Sequence, residues 1–75
     1  MKKFEAGKTY KAQHLNEWPF WLTFINSDNT FKVDHVDADG DPWSKDVLFE
    51  GDVGPRGWCV CSAEAIEEGI VVEVS

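Results

Sequence analysis

Nowhere does the 75-residue chain hold an apolar run approaching the roughly 18 residues that a membrane span takes. Met1-Lys2-Lys3 is basic, but Phe4-Glu5-Ala6-Gly7-Lys8 follows where a signal peptide carries its apolar stretch. Neither membrane insertion nor secretion is therefore expected, and the expected compartment is cytoplasmic. Cysteine is scarce: Cys59 and Cys61, one residue apart, are the two present. A disulfide between them would close a very short, strained ring, and a secreted domain this small would normally carry four or more cysteines. Two reduced thiols are the simpler expectation. No window sustains a 3.6-residue apolar period, which argues against a helical bundle. There is no repeat, low-complexity tract or linker, so residues 1–75 read as one small domain, too small for a multistep enzyme with its own cofactor fold.

Basic charge is the other shortage. After Lys2, Lys3, Lys8 and Lys11, only Lys32, Lys45 and Arg56 remain, against thirteen of the fourteen carboxylates, and the net charge is −7. Between residues 34 and 52 stand Asp34, Asp37, Asp39, Asp41, Asp46, Glu50 and Asp52, with Lys45 alone to oppose them. Such a field repels nucleic acid and speeds encounter with basic protein surfaces. It also simply keeps a tryptophan-rich chain in solution.

What is present is aromatic and β-forming: four Trp, five Phe and one Tyr. Strands are expected over Thr9–His14, Phe20–Ile25, Thr30–Val36, Pro42–Phe49, Trp58–Cys61 and Ile70–Val74. Pro19 biases Trp18 toward extended backbone in the loop Asn16–Pro19. The turn-forming run Asn26–Asn29 predicts a hairpin joining its two flanking strands. Asp37–Asp41 is a second turn, with Gly40 free to take positive φ. Glu50–Gly57 is a loop. Ser62 suits a helix N-cap for Ala63–Glu68, which Gly69 would end. The expected core is Tyr10, Leu22, Phe24, Phe31, Val33, Val47, Phe49, Trp58, Val60, Ile66, Ile70, Val72 and Val74. The fold class is mainly β, a small antiparallel barrel or curled sheet of five to six strands with one short helix near the C-terminus.

The opening Phe4–Tyr10 segment, the Val33–Trp43 segment and the closing Gly57-Trp58-Cys59-Val60-Cys61 resemble, in layout, small accessory proteins of tailed bacteriophages. That resemblance implies an SH3-like barrel, expression in an infected bacterial cytoplasm and a role tuned to the host. It transfers no binding residues.

Four constellations could carry chemistry. Read as an EF-hand loop with Gly40 at position 6, the acidic turn offers His35, Asp37, Asp39 and Asp46. His35 is a poor hard-cation ligand, and the flanks are strands. Cys59, Cys61, His14 and His35 are zinc-ligand types without zinc-site spacing. A Cys/His nucleophile pair lacks the positive surroundings that lower a thiol pKa. No metal, cofactor or catalytic activity is expected from these. The Trp18-Pro19-Phe20-Trp21 run is different, because so many bulky residues in succession cannot all face one core, and exposed aromatics are frequent interface anchors.

The sequence therefore points to a non-catalytic protein-binding module for a host protein with a basic surface. Asp34, Asp37, Asp39, Asp41 and Asp46 would supply steering and charge-assisted hydrogen bonds, and Trp18, Trp21 and Trp43 the desolvated contact. Basic surfaces often belong to nucleic-acid enzymes, so inhibition by partial DNA mimicry is a special case. Carboxylates at i and i+2 of an extended chain lie roughly 6.6–6.8 Å apart, about twice the phosphate spacing along one DNA strand. Direct nucleic-acid binding is not expected. The alternative is a small structural or assembly protein that self-associates through the Ile70–Val74 edge.

Overall fold

The structure is a computed structural model that describes residues 3–51, 54 and 57–74. Eight short strands follow one another: β1 Thr9–Ala12, β2 Leu22–Phe24, β3 Thr30–Lys32, β4 His35–Val36, β5 Pro42–Ser44, β6 Val47–Phe49, β7 Trp58–Cys59 and β8 Val71–Glu73. Two 3₁₀ turns, Leu15–Glu17 and Ala63–Ile66, interrupt them. All pairing is antiparallel, in three small sheets of order β3-β1-β8, β2-β6 and β4-β5-β7. Among the described residues there is neither a closed barrel nor an α-helix. The fold is thus mainly β, but the expected single barrel or curled sheet is replaced by three sheets. Half of the expected Glu50–Gly57 loop, residues 52, 53, 55 and 56, lies outside the described residues.

Two long strands expected from sequence are each broken, and the breaks face each other. Thr30–Val36 leaves the first sheet at Val33 and enters the third at His35. Pro42–Phe49 leaves the third sheet after Ser44 and enters the second at Val47. Side chains build this crossing. Buried Ser44 donates its hydroxyl to the Lys32 carbonyl at 2.7 Å and accepts the Asp46 amide at 3.0 Å. Asp46 Oδ2 accepts the Lys32 amide and Asp34 Oδ2 the Lys45 amide, each at 2.8 Å. Alternating patterns report which residues face inward, but not where a strand changes sheets.

The hairpin expected around Asn26–Asn29 does not form. The reversal itself is present: Asn29 takes φ 63°, its amide donates to the Asn26 carbonyl at 2.9 Å, and Asp28 accepts the Thr30 hydroxyl at 2.7 Å. Yet β2 pairs with β6, and β3 with β1. The turn is a corner between sheets, across which the Phe24 and Phe31 rings stack at 5.8 Å. Turn residues dictate a reversal; burial of these two rings decides that the strands meet across the core instead of edge to edge.

Tyr10 and Phe31 are fully buried at the centre, with Phe4 edge-on to Tyr10 at 4.9 Å. Leu22, Val33, Val47, Val60 and Ile66 complete the expected core, while Phe24, Phe49, Trp58 and Ile70 pack on it partly buried. Strand β8 faces the other way from expectation. Val71 opposite Ala12 is buried, Val72 opposite Lys11 is only half-buried, and Val74 is 47% exposed. Val71 and Val72 are equally apolar, so only the register with β1 decides the face, and a one-residue slip inverts it. Phe4, Ala12 and Ala65 are buried residues that the expected core omits.

The expected C-terminal helix is shortened to the 3₁₀ turn Ala63–Ile66. The Ser62 side chain makes no cap; the Ala63 amide donates instead to Asp41 Oδ1 at 2.8 Å, from a residue 22 positions earlier. Gly69 takes the expected positive φ, 79°, but the turn is already capped at Glu67, so it lies one residue past the C′ position expected of it. Trp18 is extended at φ −89°, ψ 150°, as Pro19 requires.

Candidate functional site

The acidic turn joins β4 to β5. The Gly40 amide donates to the Asp37 carbonyl at 3.0 Å, with Gly40 at φ 84°. A side chain at Gly40 would also press on Ala63 Cβ at 3.3 Å, so glycine is required twice over. Asp37 organises the loop. Its Oδ1 accepts the amides of Asp39 at 2.9 Å and Asp41 at 3.0 Å, and its Oδ2 accepts the Trp43 indole N–H at 2.9 Å. The indole bond, helped by the two amides, holds the Asp37 carboxyl below the usual carboxylate range.

A depressed carboxylate contributes stability that is fully present above the unfolded pKa, near 4, and is lost as pH falls through its lower folded value. Acid unfolding should therefore show a component from Asp37 below about pH 4, and Asp37→Asn should flatten that limb. Indistinguishable acid limbs, followed by far-ultraviolet circular dichroism, would refute this role.

The five aspartates expected to bind a partner thus divide. Asp34, Asp37, Asp41 and Asp46 each accept backbone amides that define corners of the fold. The exposed Asp39 carboxylate accepts no hydrogen bond among the described residues. Beyond the turn, Glu64 and Glu67 share a cleft with Lys3, Phe4, Val36, Gly40 and Ala63. Sequence reasoning did not select Glu64, Glu67 and Glu68 for binding; their clustering was visible, but the contact of Ala63 with the Asp37–Asp41 turn was not. At the other end of the chain, Lys8 is engaged by Glu5 at 3.2 Å and Glu73 at 3.4 Å.

The three tryptophans divide as well. Trp43 is half-buried, tethered to Asp37 and stacked on His35 at 5.5 Å. Trp18 is half-buried, edge-on to Phe24 at 5.1 Å, with its indole N–H donated to the Gln13 carbonyl at 2.8 Å. Trp21 is 39% exposed and lies on Phe49, which in turn packs on Trp58 at 4.1 Å. The residue that sequence reasoning omitted is Phe20, 85% exposed. In the expected strand Phe20–Ile25, alternation puts Phe20 on the face of buried Leu22, but β2 starts only at Leu22, so the period-two rule does not reach it.

Phe20 and Trp21 form a ridge with a cleft on each side. One, about 320 Å³, runs between Trp18, Pro19 and Trp21 and the Cys59–Ser62 and Ala65–Ile70 segments. The other, about 350 Å³, is walled by Leu15, Pro19, Phe20, Leu22 and Phe24.

Both thiols are free and half-buried. Burial pushes the Cys61 thiol up to about 12, and burial with Asp41 and Asp37 nearby raises Cys59. Neither is set up as a thiolate nucleophile. Cys59, Cys61, His14 and His35 do not come together as a ligand group, nor do His35, Asp37, Asp39 and Asp46. One set among the described residues, Asp37, Asp41 and Cys59, brings its ligand atoms within 4.8 Å. Its carboxylates already serve the turn, and Cys59 Sγ lies 3.6 Å from the Cys61 carbonyl, as a protonated donor would. Comparison with protein-family models, curated proteins and solved structures returned no match.

Proposed function

We propose that this chain is a non-catalytic protein-binding module that engages a basic surface on its partner. The observation that carries this reading is an exposed aromatic ridge, Phe20 and Trp21, beside a cleft that Trp21 lines together with the carboxylates Glu17 and Glu68, on a chain of net charge −7. Exposed aromatics supply the desolvated centre of an interface, and unlike charge steers the encounter. Of the carboxylates among the described residues, Glu17, Asp39, Glu50, Glu64, Glu67 and Glu68 are the ones whose charge is not committed to the fold. The sequence resemblance to small accessory proteins of tailed phages belongs to the same proposal. In it the chain works in an infected bacterial cytoplasm and binds a nucleic-acid-handling host protein, which it inhibits where the ridge covers that protein's basic site.

The test is capture of partners from bacterial lysate at low salt and at about 0.5 M salt, where exposed charges are screened beyond a few ångströms. A single basic protein, retained at low salt and released at high salt, is the expected result. Phe20→Ser should leave stability within about 0.5 kcal/mol, as for most exposed sites, yet weaken capture about tenfold or more. Equal capture by the wild type and Phe20→Ser would remove the ridge from the interface.

A second reading, self-association, is favoured by one feature. β8 forms an edge of its sheet, with Val72 and Val74 on show. It requires a concentration-dependent, salt-insensitive oligomer; sedimentation showing monomer over about a tenfold concentration range would dismiss it.

A further inference from the structure

We propose that the cleft between the Trp18–Pro19 loop and the Ala63–Ile66 turn receives one bulky apolar side chain of the partner, flanked in the partner's sequence by lysine or arginine. This rests on the protein-binding reading above and specifies what that partner must present.

Trp18, Trp21, Val60, Ala65 and Ile70 give the cleft apolar walls. At about 320 Å³ it stands at the lower end of ligand-site volumes, so it suits one or two side chains better than a cofactor. The thiols at its floor stay protonated, which keeps that floor uncharged. Its walls are held before any ligand arrives. Trp18 is fixed by its bond to Gln13 and its contact with Phe24. The opposite wall is fixed by the Ala65 amide on the Ser62 carbonyl and the Ile70 amide on the Ala65 carbonyl, both 3.1 Å. A preformed pocket loses little ordering entropy on binding.

Charge decides the occupant. Among the described residues that line the cleft, the carboxylates are Glu17 and Glu68, both exposed, and none is a lysine or arginine. An apolar side chain with cationic neighbours places its charges against that rim. A nucleic acid brings phosphates to carboxylates. A second copy brings two chains of net charge −7 together at their acidic rims, so self-docking of Phe20 is disfavoured.

The test uses isotope-labelled full-length protein and short synthetic peptides with a central leucine or phenylalanine. The flanks are lysine in one peptide and glutamate in another; a third keeps the lysines around a central serine. The expected result is amide shifts at Val60, Ala65 and Ile70 with the first peptide only. The exposed double variant Glu17→Lys/Glu68→Lys should weaken that peptide about tenfold and gain binding of the glutamate-flanked one. Equal binding of all three peptides, or shifts that appear with protein concentration before any peptide is added, would overturn the proposal. Shifts confined to Asp39, Glu64 and Glu67 would overturn the cleft as the site while leaving a cationic partner intact. Silence with every peptide at about 1 mM, the weak limit for a single anchor, also rejects the cleft, and lysate capture then decides the broader reading separately.

Discussion

Phe31→Ala is expected to leave the chain largely unfolded at 37 °C. Phe31 is 0% exposed and lies 6.5 Å from Phe4, 6.0 Å from Tyr10 and 5.8 Å from Phe24, ring centre to ring centre. It is the point where the N-terminal segment, β1 and the corner before β3 meet. Truncating a buried Phe to Ala costs about 3–5 kcal/mol, and a domain of this length has a total stability on the order of 4–11 kcal/mol. The loss is thus comparable with the whole margin. Urea denaturation and near-ultraviolet circular dichroism would measure it. A cooperatively folded variant within about 1 kcal/mol of wild type would show that the aromatic centre is not what joins the sheets.

Neutralising Asp39, Glu64 and Glu67 together should slow partner association by about tenfold or more at low salt while leaving the thermal midpoint nearly unchanged. None of these carboxylates holds a backbone amide, and all three residues are exposed. Asp37→Ala should do the reverse. It strips the acceptor from the amides of Asp39 and Asp41 and from the Trp43 indole, and should lower the thermal midpoint. Its effect on binding would then follow from a loosened turn. The contrast separates electrostatic recognition from scaffolding, which removal of the five sequence-selected aspartates as a group could not do. Stopped-flow association at two ionic strengths, with thermal melts of each variant, is the measurement. An association rate unchanged by the triple neutralisation would eliminate steering by this surface.

Much of the local structure was legible. Gly40 and Gly69 take the positive φ their positions implied, and Trp18 is extended ahead of Pro19. Seven of the expected core residues are buried. These are consequences of one residue and its immediate neighbours: steric freedom at glycine, the proline ring, and side-chain transfer from water. Pairing was not legible. The Asn26–Asn29 reversal implied a hairpin, and the chain instead sends its two flanking strands to different sheets. The candidate site was half legible. The Trp18–Trp21 run announced exposed aromatic surface, but of the selected Trp18, Trp21 and Trp43 the structure leaves only Trp21 exposed, with the unselected Phe20 beside it.

The chain's composition and local patterns determined a mainly β fold, the positions of its turns, the excess of negative charge and the presence of more aromatic surface than its core could hide. Only the tertiary structure decided which carboxylates are structural and which are free, and which rings reach the surface. Asp41 caps a turn 22 residues away, and Asp46 and Lys32 meet across a strand crossing. Whether a carboxylate is satisfied by a backbone amide depends on chain segments far apart in sequence, and no local pattern encodes that distance.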